Sequence, residues 1–307
     1  MAAGSPESGR RTADPPTSSG VHVAYASPSG SSGTGPARTP RRALLVLFGT
    51  SLAGAPVLGT PHARAAPGTA GASGLGSPAK KEIAMELVAS AENSTLDWRA
   101  QYRYIEDLGD GRGYTAGIVG FCSGTGDLLD LVRLCTRRRP GNVLARYLPA
   151  LRGVDGTGSH RGLDPGFPAD WRRAARDAAF RRAQDDERDR VYFGPAVRRA
   201  EADGLGALGQ FLYYDALVMH GDGDDPESFR GIRRRALRGA RTPERGGAET
   251  EYLGAFLDAR VWAMKREKAH SDTSRVDTAQ RVFLRAGNLN LDPPLDWKVY
   301  GDRYHIG

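Results

Sequence analysis

"LGALGQFLYYDALVMH", Leu205 to His220, is apolar on nearly every face of a 3.6-residue helix, and that reading decides the fold. A surface helix keeps a polar side. A helix without one runs through a core and needs other elements packed around it. Asp215 stands in the middle of the run. A carboxylate at such a position requires a partner, because burying it alone is strongly unfavourable.

The flanking sequence supplies the neighbours. "KKEIAMELVASAENS" places Ile83, Leu87 and Ala91 along one line, with Met85, Val88 and Glu92 along the adjoining one. "TLDWRAQYRYIEDL" repeats the pattern with Trp98, Tyr102 and Ile105, after Ser94 or Thr95 as N-cap. Further helices are predicted over residues 142–151, 169–185, 195–202, 250–270 and 276–284. "GYTAGIVGF" is rich in β-branched and aromatic residues and fits a short strand or hairpin. A helix then begins in "SGTGDLLDLVRL", with Ser123 or Thr125 as its cap. After Gly287 the tail reads as irregular. No repeat, P-loop or Cys/His metal spacing is present, and neither cofactor nor metal is expected. The pattern predicts a mainly α protein with a small β element.

The two cysteines, Cys122 and Cys135, are separated by a predicted helix. At about 1.5 Å rise per residue the gap exceeds the roughly 7 Å Cα limit for a disulfide. Two free, buried thiols are expected.

Residues 1–39 are rich in Gly, Ser, Pro and Thr, with almost no large apolar side chains, and are predicted to be a disordered extension. Residues 40–65 read as a secretory signal peptide: Arg41 and Arg42, an apolar run from Ala43, and Ala63-Arg64-Ala65 at the cleavage site. The alternative is a membrane anchor, but Gly and Pro interrupt a run already short of the roughly 20 apolar residues a span requires. A flexible linker over 66–79 would then lead to one catalytic domain over 80–307. Removing residues 1–65 takes away six arginines and two acids, so the formal charge falls from +7 to +3. The total no longer suggests a nucleic-acid binder. Export places the mature chain outside the cell and leaves no membrane segment. A monomer is expected.

"EDLGDGRGYTAG", Glu106 to Gly117, holds more reactive side chains than a turn requires. Glu92, eighteen residues before Asp110, extends a partly apolar stripe, where burial favours the protonated acid. Asp110 lies among glycines beside Arg112, a setting that favours its ionised form. Two carboxyls pushed in opposite directions suit glycosidic cleavage. By spacing alone the ordinary reading, a helix-end glutamate and a loop aspartate, stays open.

"EIAMELVASAENSTLDWRAQYRYIEDLGDGRGYTAGIVGFCSGTGD" resembles the catalytic segment of the family-46 glycoside hydrolases, the secreted bacterial endo-chitosanases. The resemblance continues through "PGNVLARYLPAL", "DERDRVYFGPAV", "DGLGALGQFLYYDALVMHG", "DTSRVDTAQRVFL" and "AGNLNLDPPLDWKVYGD", covering about residues 80–302. It implies a two-lobed, lysozyme-like fold with the β element beside a substrate cleft, and inverting hydrolysis of β-1,4 links between glucosamine units in chitosan. On this resemblance Glu92 is the general acid, Asp110 the general base, and Thr115 helps to position the attacking water. Asp127 would bind a glucosamine amino group, although a helix N-terminal carboxylate needs no ligand to be stable there. Arg112, Tyr192 and Glu267 fall on cleft positions. Glu106, Asp215, Arg260 and Arg275 correspond to a buried charge network, and Trp98, Trp171 and Trp297 to core tryptophans. At Ser271 relatives carry an acid, which leaves one remote subsite without its charge.

A lysozyme- or chitinase-like hydrolase of N-acetylated polysaccharide is the alternative enzyme. Asp127 speaks against it, since a carboxylate suits an ammonium better than an amide. The remaining reading is a non-catalytic polysaccharide or nucleic-acid binder using the arginine runs near Arg137, Arg172 and Arg233. With chitosan as partner, those arginines belong on solvated outer faces.

Overall fold

The structure, a computed structural model, describes residues 74–266 and 272–307. The segments predicted as extension, signal peptide and most of the linker lie outside the described residues, as do Glu267 and Ser271. The described residues all fall in one compact unit.

The order is α1 (Pro78–Glu92), a 3-10 turn (Trp98–Arg103), strands β1 (Ile105–Asp107), β2 (Tyr114–Ala116) and β3 (Phe121–Cys122), then α2 (Asp127–Arg138), α3 (Leu148–Val154), α4 (Phe167–Ala174) and α5 (Ala178–Arg188). A π-turn (Asp189–Phe193) leads into α6 (Gly194–Ala202), followed by α7 (Ala207–His220), α8 (Phe229–Gly239) and α9 (Glu249–Arg266). A second π-turn (Arg275–Gln280) opens α10 (Arg281–Arg285), and β4 (Leu295–Val299) with β5 (Asp302–Ile306) closes the chain.

The expected mainly helical architecture holds. Every residue of α7 is buried, as its all-round apolarity requires. Trp98, Trp171 and Trp297 are all in the core. Trp297 Nε1 donates to Ser90 Oγ at 3.0 Å, which fastens β4 to α1. Both cysteines are free and buried. Arg137, Arg138, Arg139, Arg172 and Arg173 are exposed, while Arg233 is half-buried and pairs with Asp203.

Several sequence expectations need correction. The helical stripe read through Trp98, Tyr102 and Ile105 is a 3-10 turn followed by strand β1, which contains Ile105. The helix predicted over 169–185 is two helices, because Asp177 turns extended and caps α5 by accepting from Ala179 N–H at 2.9 Å. Neither Ser123 nor Thr125 caps α2. Gly126 occupies the N-cap, Ser123 Oγ accepts from Tyr114 N–H, and Thr125 Oγ1 donates to Asp127. Neither Ser94 nor Thr95 caps the turn after α1, since Asp97 accepts from Ala100 N–H. The tail is not irregular: Leu295 pairs with Ile306 and Val299 with Asp302 in an antiparallel hairpin whose first strand alternates buried and exposed.

Candidate active site

Glu92 is the last residue of α1, at the negative end of the helix, a poor place for a carboxylate. The remedy is Arg275, whose Nη1 donates to Glu92 Oε1, and the Glu92 side chain is only 11 % exposed. The same guanidinium donates from Nε and Nη2 to Asp215 Oδ1 at 3.0 and 2.7 Å. Asp215 Oδ2 accepts from Arg260 Nη1 at 2.5 Å and from Gln280 Nε2 at 2.6 Å. Burial would raise the Asp215 carboxyl, but the two guanidiniums outweigh it and hold the group well below the ordinary carboxylate range. The partner demanded by the apolar run is thus two arginines and a glutamine. They connect the core helix to Glu92.

Asp110 sits on the loop between β1 and β2. Arg112 N–H donates to its Oδ1 at 3.0 Å, while Arg112 Nε and Nη2 donate to Oδ2 at 2.9 and 2.5 Å. Partial burial works against ionisation, yet these bonds prevail and lower the Asp110 pKa. Gly113 makes the loop feasible: its φ is +69°, and a Cβ there would lie 2.4 Å from Ser123 Oγ.

Thr115 lies on β2 opposite Glu106 on one side and Cys122 on the other. It is fully buried, and its hydroxyl meets Cys122 Sγ at 3.4 Å.

Asp127 opens α2, where the helix dipole favours a carboxylate. Its Oδ1 accepts from Thr125 Oγ1 at 2.6 Å and from Cys122 N–H at 3.0 Å. Burial nevertheless raises its pKa, with those bonds opposing the rise. Tyr192, half-buried in the first π-turn, has its hydroxyl pKa pushed up by burial first and the Asp127 charge second, so the two lie in one another's field.

Glu106 does not join the buried network. On the short strand β1, Ile105 faces the core and Glu106 faces out, where it accepts from Tyr104 Oη at 3.2 Å. Exposed on that strand, it has no part in the bonds among Asp215, Arg260, Arg275 and Gln280. Gln280 and the Cys122 backbone were not anticipated. Gln280 stands five residues after Arg275, a π-type spacing, so a 3.6-residue pattern does not pair them.

Residues 86–295 match glycosyl hydrolase family 46. A chitosanase of Streptomyces sp. (strain N174) is 63 % identical over 271 residues, covering 88 % of this chain and 98 % of that protein. A solved chitosanase complex superposes with a TM-score of 0.73 at 58 % identity, covering 76 % of this chain and 99 % of its own. A GH46 chitosanase of Gynuella sunshinyii, solved with chitotetraose, gives 0.69 at 33 % identity, covering 75 % and 98 %. The family match places this protein among the glycoside hydrolases, and its mainly helical, lysozyme-like frame with a small sheet agrees with that class. The chain belongs to glycosyl hydrolase family 46.

Proposed function

We propose that this protein is an exported endo-chitosanase, cleaving β-1,4 links between glucosamine units by direct water attack with inversion. Glu92 donates the proton to the leaving oxygen. Asp110 takes the proton from the attacking water, and Thr115 helps to hold that water. The observation that carries the reading is the match to glycosyl hydrolase family 46 across residues 86–295. Asp110, held below its ordinary pKa by three hydrogen bonds from Arg112, suits the base, and Glu92, held at a helix end by Arg275, is the carboxyl left for the acid. Relatives named chitosanase, one solved with chitotetraose, support the substrate class.

Asp127 and Tyr192 then bind the sugar chain, with the Asp127 carboxylate facing a glucosamine ammonium. Arg112 serves the base directly, and Glu267 remains a proposed cleft residue. Arg260, Gln280 and Asp215 position Arg275. Export rests on the signal-like residues 40–65. Reducing-end release from fully deacetylated chitosan, compared with chitin and peptidoglycan, tests the reading. Rapid release from chitosan alone is expected. Equal or faster release from an N-acetylated polymer would overturn it.

A further inference from the structure

Tyr300 and Gly301 join β4 to β5 as a two-residue loop, and both have positive φ, +53° and +92°. Such a corner favours Asn or Asp followed by Gly, whereas a bulky aromatic is an outlier there. Backbone strain of this kind persists where the side chain serves a purpose. Core packing is not that purpose, since Tyr300 is 50 % exposed, more than any other large apolar residue among the described residues.

The position of the corner is fixed. Tyr300 N–H donates to Ser274 Oγ at 2.9 Å, and Thr278 Oγ1 donates to Lys298 O at 2.7 Å. The hairpin tip is thereby tied to the π-turn that begins with Arg275. Burial raises the Tyr300 hydroxyl pKa, Arg275 opposes the rise and Glu92 adds to it, so the hydroxyl lies in the field of the Glu92–Arg275 pair.

We infer that Tyr300 is an aromatic platform for a sugar unit of the bound chain, adjacent to the scissile bond on the Glu92 side. This deepens the chitosanase reading and rests on it. A glucosamine unit offers an apolar ring face and an ammonium, both of which an aromatic face attracts. A two-residue corner pinned by the Ser274 and Thr278 hydroxyls fixes the backbone that carries the ring, which lowers the entropy lost on binding. Asn would relieve the backbone but could not supply the ring.

The test compares the full chain with Tyr300→Asn and Tyr300→Phe, measuring Tm and the kinetics of a fully deacetylated chitosan oligomer. Tyr300→Asn should melt at or above the wild-type temperature while kcat/KM falls about tenfold. Tyr300→Phe should stay within about twofold of wild type, because it keeps the aromatic face. Unchanged kcat/KM in the Asn variant, a parallel loss of Tm and activity, or a Phe variant as impaired as Asn would each overturn the inference. An inactive wild type would overturn the chitosanase reading and this inference with it; an active wild type with an unaffected Asn variant overturns the inference alone.

Discussion

Arg275 bonds Glu92 and Asp215 at the same time, Nη1 to the first and Nε and Nη2 to the second, and so ties a helix-end carboxyl to the centre of the core. A planar fork can do this, whereas a lysine ammonium is a single point of charge. Arg275→Ala should therefore destabilise the protein by about 3–5 kcal/mol, the usual cost of removing one partner of a buried pair. Arg275→Lys should recover part of that stability and still lose at least about tenfold in kcat, because a compact ammonium lacks the rigid fork that fixes both carboxyls in place. Urea melts and initial rates check both. A Lys variant with wild-type kcat would show that the Glu92 bond is unimportant to turnover.

Asp110 is held below its ordinary pKa by Arg112 against the opposing effect of burial. A base with a lowered pKa stays ionised further into acid. Arg112→Ala removes the lowering interaction and leaves burial, so the acid limb of kcat/KM against pH should move to higher pH. The height of the profile will also fall, but the limb's position is the diagnostic. A limb that stays put or moves to lower pH contradicts the assignment of Asp110 as base.

The sequence made the helical frame visible because α1 and α7 carry strong patterns: one a two-line stripe ending in Glu92, the other apolarity on all sides around Asp215. The loop over residues 106–117 stood out by its residue types, but the family resemblance, not the spacing, singled out Asp110 and Thr115 within it. The rest depends on geometry that a 3.6-residue reading does not contain. Two π-turns place Tyr192 and the Arg275–Gln280 pair, and three-residue strands are too short to reveal that Glu106 faces outward. The terminal hairpin was missed although "LDWKV" alternates, since its corner is Tyr-Gly rather than Asn-Gly.

Asp127→Asn keeps the shape of the helix start but removes the charge offered to an ammonium. A loss on the order of 1.5–3 kcal/mol in kcat/KM is expected, as for a charge-assisted hydrogen bond, mainly on poorly acetylated chitosan. Equal losses on chitosans of low and high acetylation, or a collapse in Tm, would mean that the carboxylate only stabilises α2.

Gly124 is packed so closely that a Cβ would lie 2.2 Å from Thr157 O and 2.8 Å from Arg112 O, both backbone atoms. Gly124 N–H also donates to Arg112 O at 2.9 Å. Gly124→Ala should therefore displace the Arg112 backbone, disturb Asp110 and lower both Tm and kcat. Wild-type kcat in this variant would show that the loop tolerates displacement at Arg112.

Proton NMR of the first products from fully deacetylated chitosan tests the central claim most directly, since one spectrum reports both cleavage and stereochemistry. New reducing ends should appear first as the α-anomer, with β growing in by mutarotation, because water held by Asp110 attacks the face opposite the leaving oxygen protonated by Glu92. Initial β-anomer, or no new reducing ends from this polymer, would contradict the account.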